Sequence, residues 1–399
     1  PCVGSARSIR HWPDRDVWSP VSLDPLVALA MIAAAVGVSL VATPGVILLA
    51  RRMGVVDRPN DRKVSRRSQM PLWGGLSVAL GCGAALWVGL AGFDAPGLSR
   101  GVAGFALGGL LLLGVGAWDD RFDMSAMVKL AFQLVAAAIA IRSGFAFDLF
   151  SDPIAEKTYN VPIWIMWPVS LVWIVGVTNA MNLIDGLDGL SAGLGAIIAA
   201  TLTIICWQAG QWTGVVIGLA LCASLLGYLP YNFPPARIFL GDTGSLFIGF
   251  GLSLLALEGY RKAAFLAFIV PMLALAIPLL DTVLSILRRL RSGRGVFSPD
   301  RLHMHHRLLH REGSHRNAVL MLYFLTGCFC MIAVSFSRLE GWTALACLIA
   351  VFVTTYRLLR NLDAFALEID DDPKSEEEGT SGCPADAAMS IDKGGEEPI

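Results

Sequence analysis

The feature that most constrains this chain is a succession of apolar segments, each long enough to cross a lipid bilayer. A helix needs about 20 apolar residues to span a hydrocarbon core about 30 Å thick. The first such segment runs from residue 26 to residue 50, and comparable segments recur as far as residue 356. In lipid, the backbone amides must be hydrogen-bonded within the segment, and an α-helix meets that requirement. The sequence therefore predicts an all-α polytopic membrane protein.

The low charge of the chain supports this prediction. Charged residues make up 16% of the 399 residues, whereas soluble domains contain about 25%. We predict about eleven transmembrane helices. Their expected spans are residues 26–50, 72–90, 101–118, 127–141, 163–184, 190–207, 213–229, 246–257, 264–287, 319–336 and 342–356. The membrane domain is expected at 25–360. The N-terminal extension, 1–24, does not contain the apolar stretch of a signal peptide. The C-terminal tail, 361–399, is acidic and is expected to be disordered.

Basic residues are concentrated in alternate loops, which predicts the orientation of the chain. The first loop, 51–71, and the ninth loop, 288–318, are rich in arginine, while the even-numbered loops are short or mildly acidic. Because basic loops remain in the cytoplasm, we expect the odd-numbered loops and the C-terminus there and the N-terminus outside. Five polar segments, several of them interrupted by glycines, fall in odd-numbered loops, at 56–75, 118–129, 179–190, 228–245 and 298–311. These cytoplasmic loops are therefore expected to form one active site.

Three of these five segments supply the candidate metal-binding and catalytic carboxylates. The segment NAMNLIDGLDGL contains Asp185 and Asp188, WDDRFD contains Asp119 and Asp120, and LGDTGS contains Asp242. Acidic side chains at a membrane boundary are unfavourable unless they bind something. Mg²⁺ usually takes one or two carboxylates together with substrate phosphates, and a carboxylate beside the metal can act as a base. The pattern predicts a site for Mg²⁺, with Mn²⁺ as the alternative ion.

The ninth loop supplies the complementary positive charge. Its sequence SPDRLHMHHRLLHR contains Arg301, His303, His305 and His306, which can donate hydrogen bonds to phosphates. Zinc binding, or no ligand at all, is the alternative for such a histidine group. Lys63 in DRPNDRK can likewise bind a phosphate, although basic residues near a membrane also serve as topology signals and lipid contacts. The carboxylates can bind a metal ion, the basic side chains can bind phosphates, and the apolar helices can hold a lipid. Together they favour phosphoryl transfer with one lipid-borne partner.

At these segments the sequence resembles the polyprenyl-phosphate N-acetylhexosamine-1-phosphate transferases. The matching pieces, in the order typical of the family, are DRPNDRK with PLWGG, GAWDDRFDMS with the following Lys129 and Gln133, NAMNLIDGLDGL, YNFPPARIFLGDTGS and PDRLHMHHRLL. Together they extend from residue 57 to residue 309. The forms DDRFDMS and DRLHMHH are similar to those of the bacterial undecaprenyl-phosphate GlcNAc-1-phosphate transferases in particular.

The resemblance implies a reaction between a sugar nucleotide and a lipid phosphate. Undecaprenyl phosphate would attack the β-phosphate of UDP-GlcNAc and release UMP, in the first membrane step of a cell-surface polysaccharide such as the O-antigen of lipopolysaccharide. The enzyme would be a multi-pass protein of the bacterial inner membrane with a cytoplasmic active site. Its implied partners are UDP-GlcNAc, undecaprenyl phosphate and membrane lipid, without nucleic acid. A homodimer is one possible assembly, and the sequence does not determine the oligomeric state.

The resemblance also implies roles for individual residues. Asp242 is the expected Mg²⁺ ligand, and Asp119 would deprotonate or orient the lipid phosphate with the support of Asp120. The implied catalytic residues are Asp119, Asp120, Asp185, Asp188 and Lys129. The implied substrate-binding residues are Lys63, Asn182, Phe239, Arg301, His303, His305 and His306. Of these, Lys63 and Phe239 are expected to frame the uracil together with Asp188.

One position departs from the family pattern, and other functions compete with the transferase. Ser65 stands where the family commonly has histidine. The same chemistry on another UDP-N-acetylated sugar is one alternative, and a transporter of lipid-linked sugar is another. Transporters bind near the bilayer midplane and are built from repeats with broken helices, which we do not find in this sequence. A CDP-alcohol phosphotransferase would need an arginine after DGLDGL, where this chain has Ser191 and Ala192.

Overall fold

The computed structural model of the chain describes residues 24–57, 70–93, 95, 97–147, 149–152, 157–260, 269–291 and 314–336, with isolated positions 346, 349, 350, 353 and 357. The described helices are α1 Pro25–Arg52, α2 Gly74–Gly92, α3 Leu98–Phe122, α4 Ala126–Ser143, α5 Ile163–Ile184, α6 Leu190–Gln208, α7 Trp212–Asn232, α8 Gly241–Tyr260, α9 Ile269–Ala274, α10 Ala276–Arg291 and α11 His315–Phe336. The described strands are β1 Val56–Asp57, β2 Met70–Pro71, β3 Leu149–Asp152 and β4 Lys157–Asn160.

The described chain is a polytopic all-α protein, as the apolar segments predict. Within it, the helices α1 to α7 and α11 are long and apolar enough to cross a membrane. The span expected at 163–184 is α5 itself, and eight other expected spans correspond to helices whose ends differ by up to five residues. The expected span 342–356 and the tail 361–399 lie largely or wholly outside the described residues.

Helix α8 is the central helix of the bundle. Every residue from 243 to 259 is buried, and α8 packs against α2, α3, α5, α6 and α7. In α1, only 22% of the residues in its apolar 18-residue window are buried, whereas the corresponding value for α6 is 78%. The outer helix α1 therefore exposes many apolar side chains on the outside of the bundle, while the side chains of α8 contact other helices. The first turn of α8 is consequently held from several sides.

Two glycines allow the neighbours of α8 to approach its first turn closely. A Cβ atom on Gly75 of α2 would lie 2.3 Å from the backbone nitrogen of Gly244. A Cβ atom on Gly116 of α3 would lie 2.5 Å from the carbonyl oxygen of Asp242. Neither space accommodates a methyl group, so the backbones of α2 and α3 lie almost directly against α8 at the end that carries Asp242.

The expected single span at 264–287 is wrong, because two helices, α9 and α10, occupy its described part. The break is at Leu275, between Ala274 and Ala276. Pro278 explains it, since proline has no N–H to donate to the carbonyl of Ala274 and its ring clashes with that carbonyl. The thiol of Cys330 in α11 lies 3.9 Å from the freed oxygen of Ala274.

Two short antiparallel hairpins, which the sequence did not predict, join some of the helices. Strand β1 pairs with β2, so that Val56 is opposite Pro71 at the two ends of the first loop. Strand β3 pairs with β4, with Leu149 opposite Asn160, in the connection between α4 and α5. The first hairpin matters for the site, because the chain enters α2 immediately after β2.

Candidate active site

Of the singled-out residues that the structure describes, most lie at the ends of helices. Asp119 and Asp120 are in the last turn of α3, Asn182 is in the last turn of α5, and Asp242 is in the first turn of α8. Lys129 is in the first turn of α4. The spans expected at 101–118 and 246–257 stopped short of these polar residues, so the sequence placed Asp119 and Asp242 in loops. Helices hold side chains in fewer orientations than loops do.

Lys129 connects two carboxylates from different helices. Its ammonium nitrogen lies 2.6 Å from Oδ2 of Asp119 and 2.6 Å from Oδ2 of Asp242. The side chains of Lys129, Asp119 and Asp242 are 20%, 11% and 27% exposed. One positive charge therefore faces two negative charges in a partly buried place that solvent, and hence a ligand, can still reach. We call Asp119, Lys129 and Asp242 the lysine bridge.

Backbone and amide donors fix the two carboxylates of the lysine bridge. The backbone N–H of Met124 donates to Oδ1 of Asp119 at 2.6 Å. The side-chain amide of Asn182 donates to Oδ1 of Asp242 at 3.0 Å and to Oγ of Ser245 at 2.9 Å. In each carboxylate, one oxygen thus accepts a hydrogen bond from a neutral donor, and the other accepts one from Lys129. The sequence did not point to Ser245, although it lies one turn after Asp242 on the same face of the helix.

Asp120 has a different role from its neighbour Asp119, because it caps the first turn of α8. Its carboxylate accepts hydrogen bonds from the backbone N–H groups of Asp242 at 2.8 Å and Thr243 at 3.2 Å. The hydroxyl of Thr243 donates to it as well, at 2.5 Å. Helix N-termini have unpaired N–H groups and a partial positive charge. Asp120 therefore holds the backbone of Asp242 in place, and we regard it as a positioning residue.

Gly241 permits this cap, because its backbone is left-handed. Its φ angle is +72°, and a Cβ atom there would lie 2.5 Å from Oδ2 of Asp120. An L-residue would be strained at that angle and would also displace the carboxylate. The glycine before Asp242 in the LGDTGS segment is thus required by the contact between α3 and α8.

A pair of side-chain amides joins α4 to α5 directly behind the lysine bridge. The amide nitrogen of Gln133 donates to Oδ1 of Asn179 at 3.2 Å, and the amide nitrogen of Asn179 donates to Oε1 of Gln133 at 2.7 Å. Gln133 is four residues after Lys129 and Asn179 is three residues before Asn182, so each shares a helix face with a site residue. We call Gln133 and Asn179 the amide clamp. Sequence spacing could have suggested each face, but only the structure shows that the two faces meet.

The second acidic segment is connected to the chain that precedes α8. The backbone N–H of Ala236 donates to Oδ2 of Asp188 at 3.0 Å. Phe239 accepts from the N–H of Gly74 at 3.0 Å and donates its own N–H to the carbonyl of Pro71 at 2.9 Å. The segment 236–239 therefore links Asp188 and Phe239, both expected near the uracil, to the start of α2. Asp185 directly follows α5 and is half-buried.

Several expected site residues lie outside the described part of the chain. These are Lys63, Arg301, His303, His305 and His306. Within the described ranges, acidic, histidine and cysteine side chains form no group of three or more that is arranged to hold a metal ion. The oxygen donors of Asp119 and Asp242 are nevertheless of the type that Mg²⁺ prefers, and the ammonium group of Lys129 lies against both of them.

Comparison with known proteins assigns the chain to a family. The sequence profile of glycosyl transferase family 4 matches residues 102–260. A Bacillus subtilis protein named "Probable undecaprenyl-phosphate N-acetylglucosaminyl 1-phosphate transferase" is 37% identical over 309 residues, which cover 77% of this chain and 84% of that protein. The chain belongs to glycosyl transferase family 4.

Other relatives resemble this glycosyl transferase family 4 chain over a similar length. A Mycolicibacterium smegmatis protein named "Decaprenyl-phosphate N-acetylglucosaminephosphotransferase" is 34% identical over 375 residues, covering 84% of this chain and 90% of that protein. An Escherichia coli protein named "Undecaprenyl-phosphate alpha-N-acetylglucosaminyl 1-phosphate transferase" is 29% identical over 299 residues, or 72% and 77% of the two chains. The profile match of glycosyl transferase family 4 extends from α3 to α8, and it contains the lysine bridge and the amide clamp.

Proposed function

We propose that this protein transfers GlcNAc-1-phosphate from UDP-GlcNAc to undecaprenyl phosphate and releases UMP. The observation that carries the proposal is the lysine bridge, in which a partly exposed cation lies 2.6 Å from each of two carboxylates at the ends of apolar helices. Such a place suits a phosphate that enters from water while its lipid remains in the bilayer. The names of the relatives supply the sugar and the polyprenyl carrier.

The proposed reaction is a direct displacement at phosphorus. An oxygen of the lipid phosphate forms a bond to the β-phosphorus of UDP-GlcNAc, and the bond from that phosphorus to the oxygen bridging to the α-phosphate breaks. UMP leaves with the bridging oxygen. Such reactions depend on positioning and charge stabilisation more than on covalent chemistry by the protein. One transfer step is sufficient, because both reactants can be held at the same site.

The residues of the lysine bridge have complementary tasks in this proposal. Lys129 can donate to a phosphate oxygen from its position between Asp119 and Asp242, because its ammonium group has three N–H bonds. Asp119 lies next to it and can orient the acceptor phosphate or take a proton from its monoanionic form. Asn182 keeps Asp242 from rotating. Asp120 and the amide clamp keep α3, α4, α5 and α8 in register.

A divalent ion fits the donors of this site. Asp242 is the proposed ligand, with Asp119 beside it, and Mg²⁺ commonly uses one or two carboxylates and completes its shell with substrate phosphates. Bound there, the ion would neutralise charge on the diphosphate. Lys129 lies against the same oxygens, which indicates that this point already favours positive charge.

The remaining contacts of the substrates are proposed from the sequence. Asp188 and Phe239 would receive the uracil together with Lys63. Arg301, His303, His305 and His306 would hold the sugar diphosphate. We place the site on the cytoplasmic face of a bacterial inner membrane, since the first and ninth loops are basic. Formation of a homodimer, and supply of O-antigen or a related cell-surface polysaccharide, are part of the same proposal.

The direct test is an assay of the purified protein with undecaprenyl phosphate and labelled UDP-GlcNAc, with and without Mg²⁺. Parallel reactions use Mn²⁺, and others use UDP-GalNAc and UDP-MurNAc-pentapeptide as donors. We expect metal-dependent formation of the glycolipid and UMP from UDP-GlcNAc alone. A product from UDP-GalNAc instead would correct the sugar, and the absence of product from every donor with folded protein would overturn the transferase proposal.

A further inference from the structure

The end of α7 contains an apolar groove that the proposed reaction does not use. The groove has a volume of about 470 Å³, and Leu226, Leu229, Pro230, Phe233, Pro234 and Arg237 line it. Three of these residues, at positions 226, 229 and 230, are in α7, and Phe233 directly follows it. Their spacing of i, i+3, i+4 and i+7 places them on one side of a helix. Leu226 is 51% exposed. The groove is therefore an apolar stripe that ends at an arginine, and we call it the arginine groove.

Two arginines give this groove a positive end. Arg237 is exposed and lines it, and Arg316 at the start of α11 is exposed and lies with its guanidinium 5.8 Å from the ring centroid of Phe233. Neither arginine forms an ion pair with another residue of the described ranges. Arg237 lines the same groove as Phe233, and Arg316 lies over the Phe233 ring. Two arginines at one groove, with no acidic partner among the described residues, are complementary to an anion.

The position of the groove selects a lipid as its occupant. Helix α7 is apolar enough to cross a membrane, and it ends at Asn232, so the arginines lie where the headgroups of a bilayer begin. The stripe from Leu226 to Phe233 is about 10 Å long at the rise of an α-helix, which suits the upper part of an acyl chain. Arginine near a membrane surface attracts anionic lipids. A small soluble anion would use the arginines and leave the apolar stripe without a partner.

We propose that the arginine groove binds an anionic phospholipid, with the headgroup phosphate between Arg237 and Arg316 and an acyl chain along α7. None of the residues of the lysine bridge lines this groove. In this proposal the groove lipid is distinct from the acceptor, whose phosphate we assign to the lysine bridge. The proposal goes beyond the transfer reaction and does not depend on it.

Binding is tested on the full-length protein by native mass spectrometry after incubation with equal amounts of phosphatidylglycerol and phosphatidylcholine. We expect the protein to retain phosphatidylglycerol preferentially. The double variant Arg237→Gln/Arg316→Gln should lower this retention about twentyfold, because each arginine contact with an anionic lipid contributes about a factor of five. Unchanged retention by the variant would overturn the proposal. Circular dichroism and gel filtration establish that the variants are folded, and each single variant should show about a fivefold loss.

A matched control separates a site from general surface charge. Arg51 and Arg52 are exposed in the last turn of α1, so Arg51→Gln/Arg52→Gln removes the same charge at another helix end. This control should keep the preference for phosphatidylglycerol, and an equal loss in both double variants would overturn the specific site. Leu226→Ser should weaken retention by a few-fold if an acyl chain lies on the stripe, and no effect would overturn that part of the proposal.

Two competitors identify the source of the phosphate. Glycerol 1-phosphate has a headgroup phosphate without acyl chains, and it should not displace the lipid at the same concentration. Undecaprenyl phosphate should also fail to displace phosphatidylglycerol from the arginine groove. Displacement by undecaprenyl phosphate in the wild type, and its loss in Arg237→Gln/Arg316→Gln, would assign the groove to the acceptor and overturn the proposal.

Discussion

The lysine bridge and the contacts behind it are built from the same kinds of side chain, but their partners differ. In the lysine bridge, Asp119 and Asp242 each direct one oxygen to the ammonium group of Lys129. Behind it, the carboxylate of Asp120 accepts from two backbone N–H groups, and the amides of Gln133 and Asn179 satisfy each other. Asp119 and Asp120 are adjacent in the chain and belong to different groups.

The difference shows how one protein can use identical residues for rigidity and for reactivity. Both oxygens of Asp120 accept from donors in the first turn of α8 and cannot release them without unfolding that turn, so this carboxylate is fixed. A carboxylate on a lysine ammonium group can share that group with an incoming phosphate at little structural cost, because the lysine side chain has rotatable bonds. Substitutions in the lysine bridge should therefore reduce turnover, whereas those behind it should change stability or geometry first.

The largest effect is expected for Asp242→Asn. The substitution removes the negative charge that pairs with Lys129, and it also removes the proposed metal-binding carboxylate. The amide of asparagine preserves the shape of the side chain. We expect turnover to fall about 10³-fold, the scale of a lost electrostatic contribution to a transition state. The measurement is the rate of UMP release at saturating substrates.

Asp123→Asn is the matched control for this variant. Asp123 is exposed and directly follows α3, and it should keep its activity within about twofold. Retained activity in Asp242→Asn would remove this residue from the reaction, and an equal loss in Asp123→Asn would indicate a general effect of charge near α3.

The next prediction compares substitutions of the two adjacent acids at the end of α3, Asp119 and Asp120. Asp120→Asn should lower the thermal unfolding midpoint by several degrees, since hydrogen bonds to a charged group stabilise by about 1.5–3 kcal/mol. Asp119→Asn should leave the midpoint nearly unchanged and reduce turnover more strongly. Thermal unfolding in one detergent and the transfer assay, applied to both variants, check the pair. A reversed order of the two midpoints would contradict the separation between the two groups.

A smaller effect is expected when the amide clamp is broken. Gln133→Leu leaves the amide of Asn179 without its reciprocal partner, and α4 and α5 lose the contact that aligns Lys129 with Asn182. We expect turnover to fall about tenfold with little change in KM for UDP-GlcNAc, as a small displacement of positioned groups does.

The exchange Gln133→Asn/Asn179→Gln tests whether the amides themselves matter. It preserves both amide groups and their combined length, and we expect it to recover activity to within a few-fold of the wild type. Failure of the exchange to recover activity, together with an unchanged unfolding midpoint, would mean that the clamp does not act through its hydrogen bonds.

The smallest effect is expected at Ser65, which lies outside the described residues. Ser65→His introduces the residue that is common in the family, and the rate of glycolipid formation should stay within a few-fold of the wild type. A gain much larger than that would show that the first loop of the natural chain is compromised for this reaction.

The sequence predicted the membrane-spanning helices well, because apolar length alone identifies them. The expected span 163–184 has the bounds of α5, Ile163–Ile184. Apolar length could not show where a helix continues into polar residues. Helix α8 begins at Gly241, five residues before the expected start, since Asp120 supplies from another helix the acceptor that its first turn needs. The break at Leu275 was detectable in principle from Pro278, but the apolar run obscured it.

The site was predicted as a set of residues and not as an arrangement. The motifs identified Asp119, Lys129, Asn182 and Asp242, and the structure brings all four together. Which carboxylate faces Lys129 and which caps a helix depends on how α3 approaches α8. That approach is a property of tertiary packing, and neither the spacing nor the charge pattern contains it.

Gly116 has a consequence for how such enzymes can diverge. Because nothing larger than hydrogen fits between α3 and Asp242 at this position, the gap between the acids on the two helices is set by the absence of a methyl group. A relative that needs a wider opening for a bulkier sugar could obtain it with alanine at this one place. Every group that performs the chemistry would stay unaltered, and only the spacing between α3 and α8 would change.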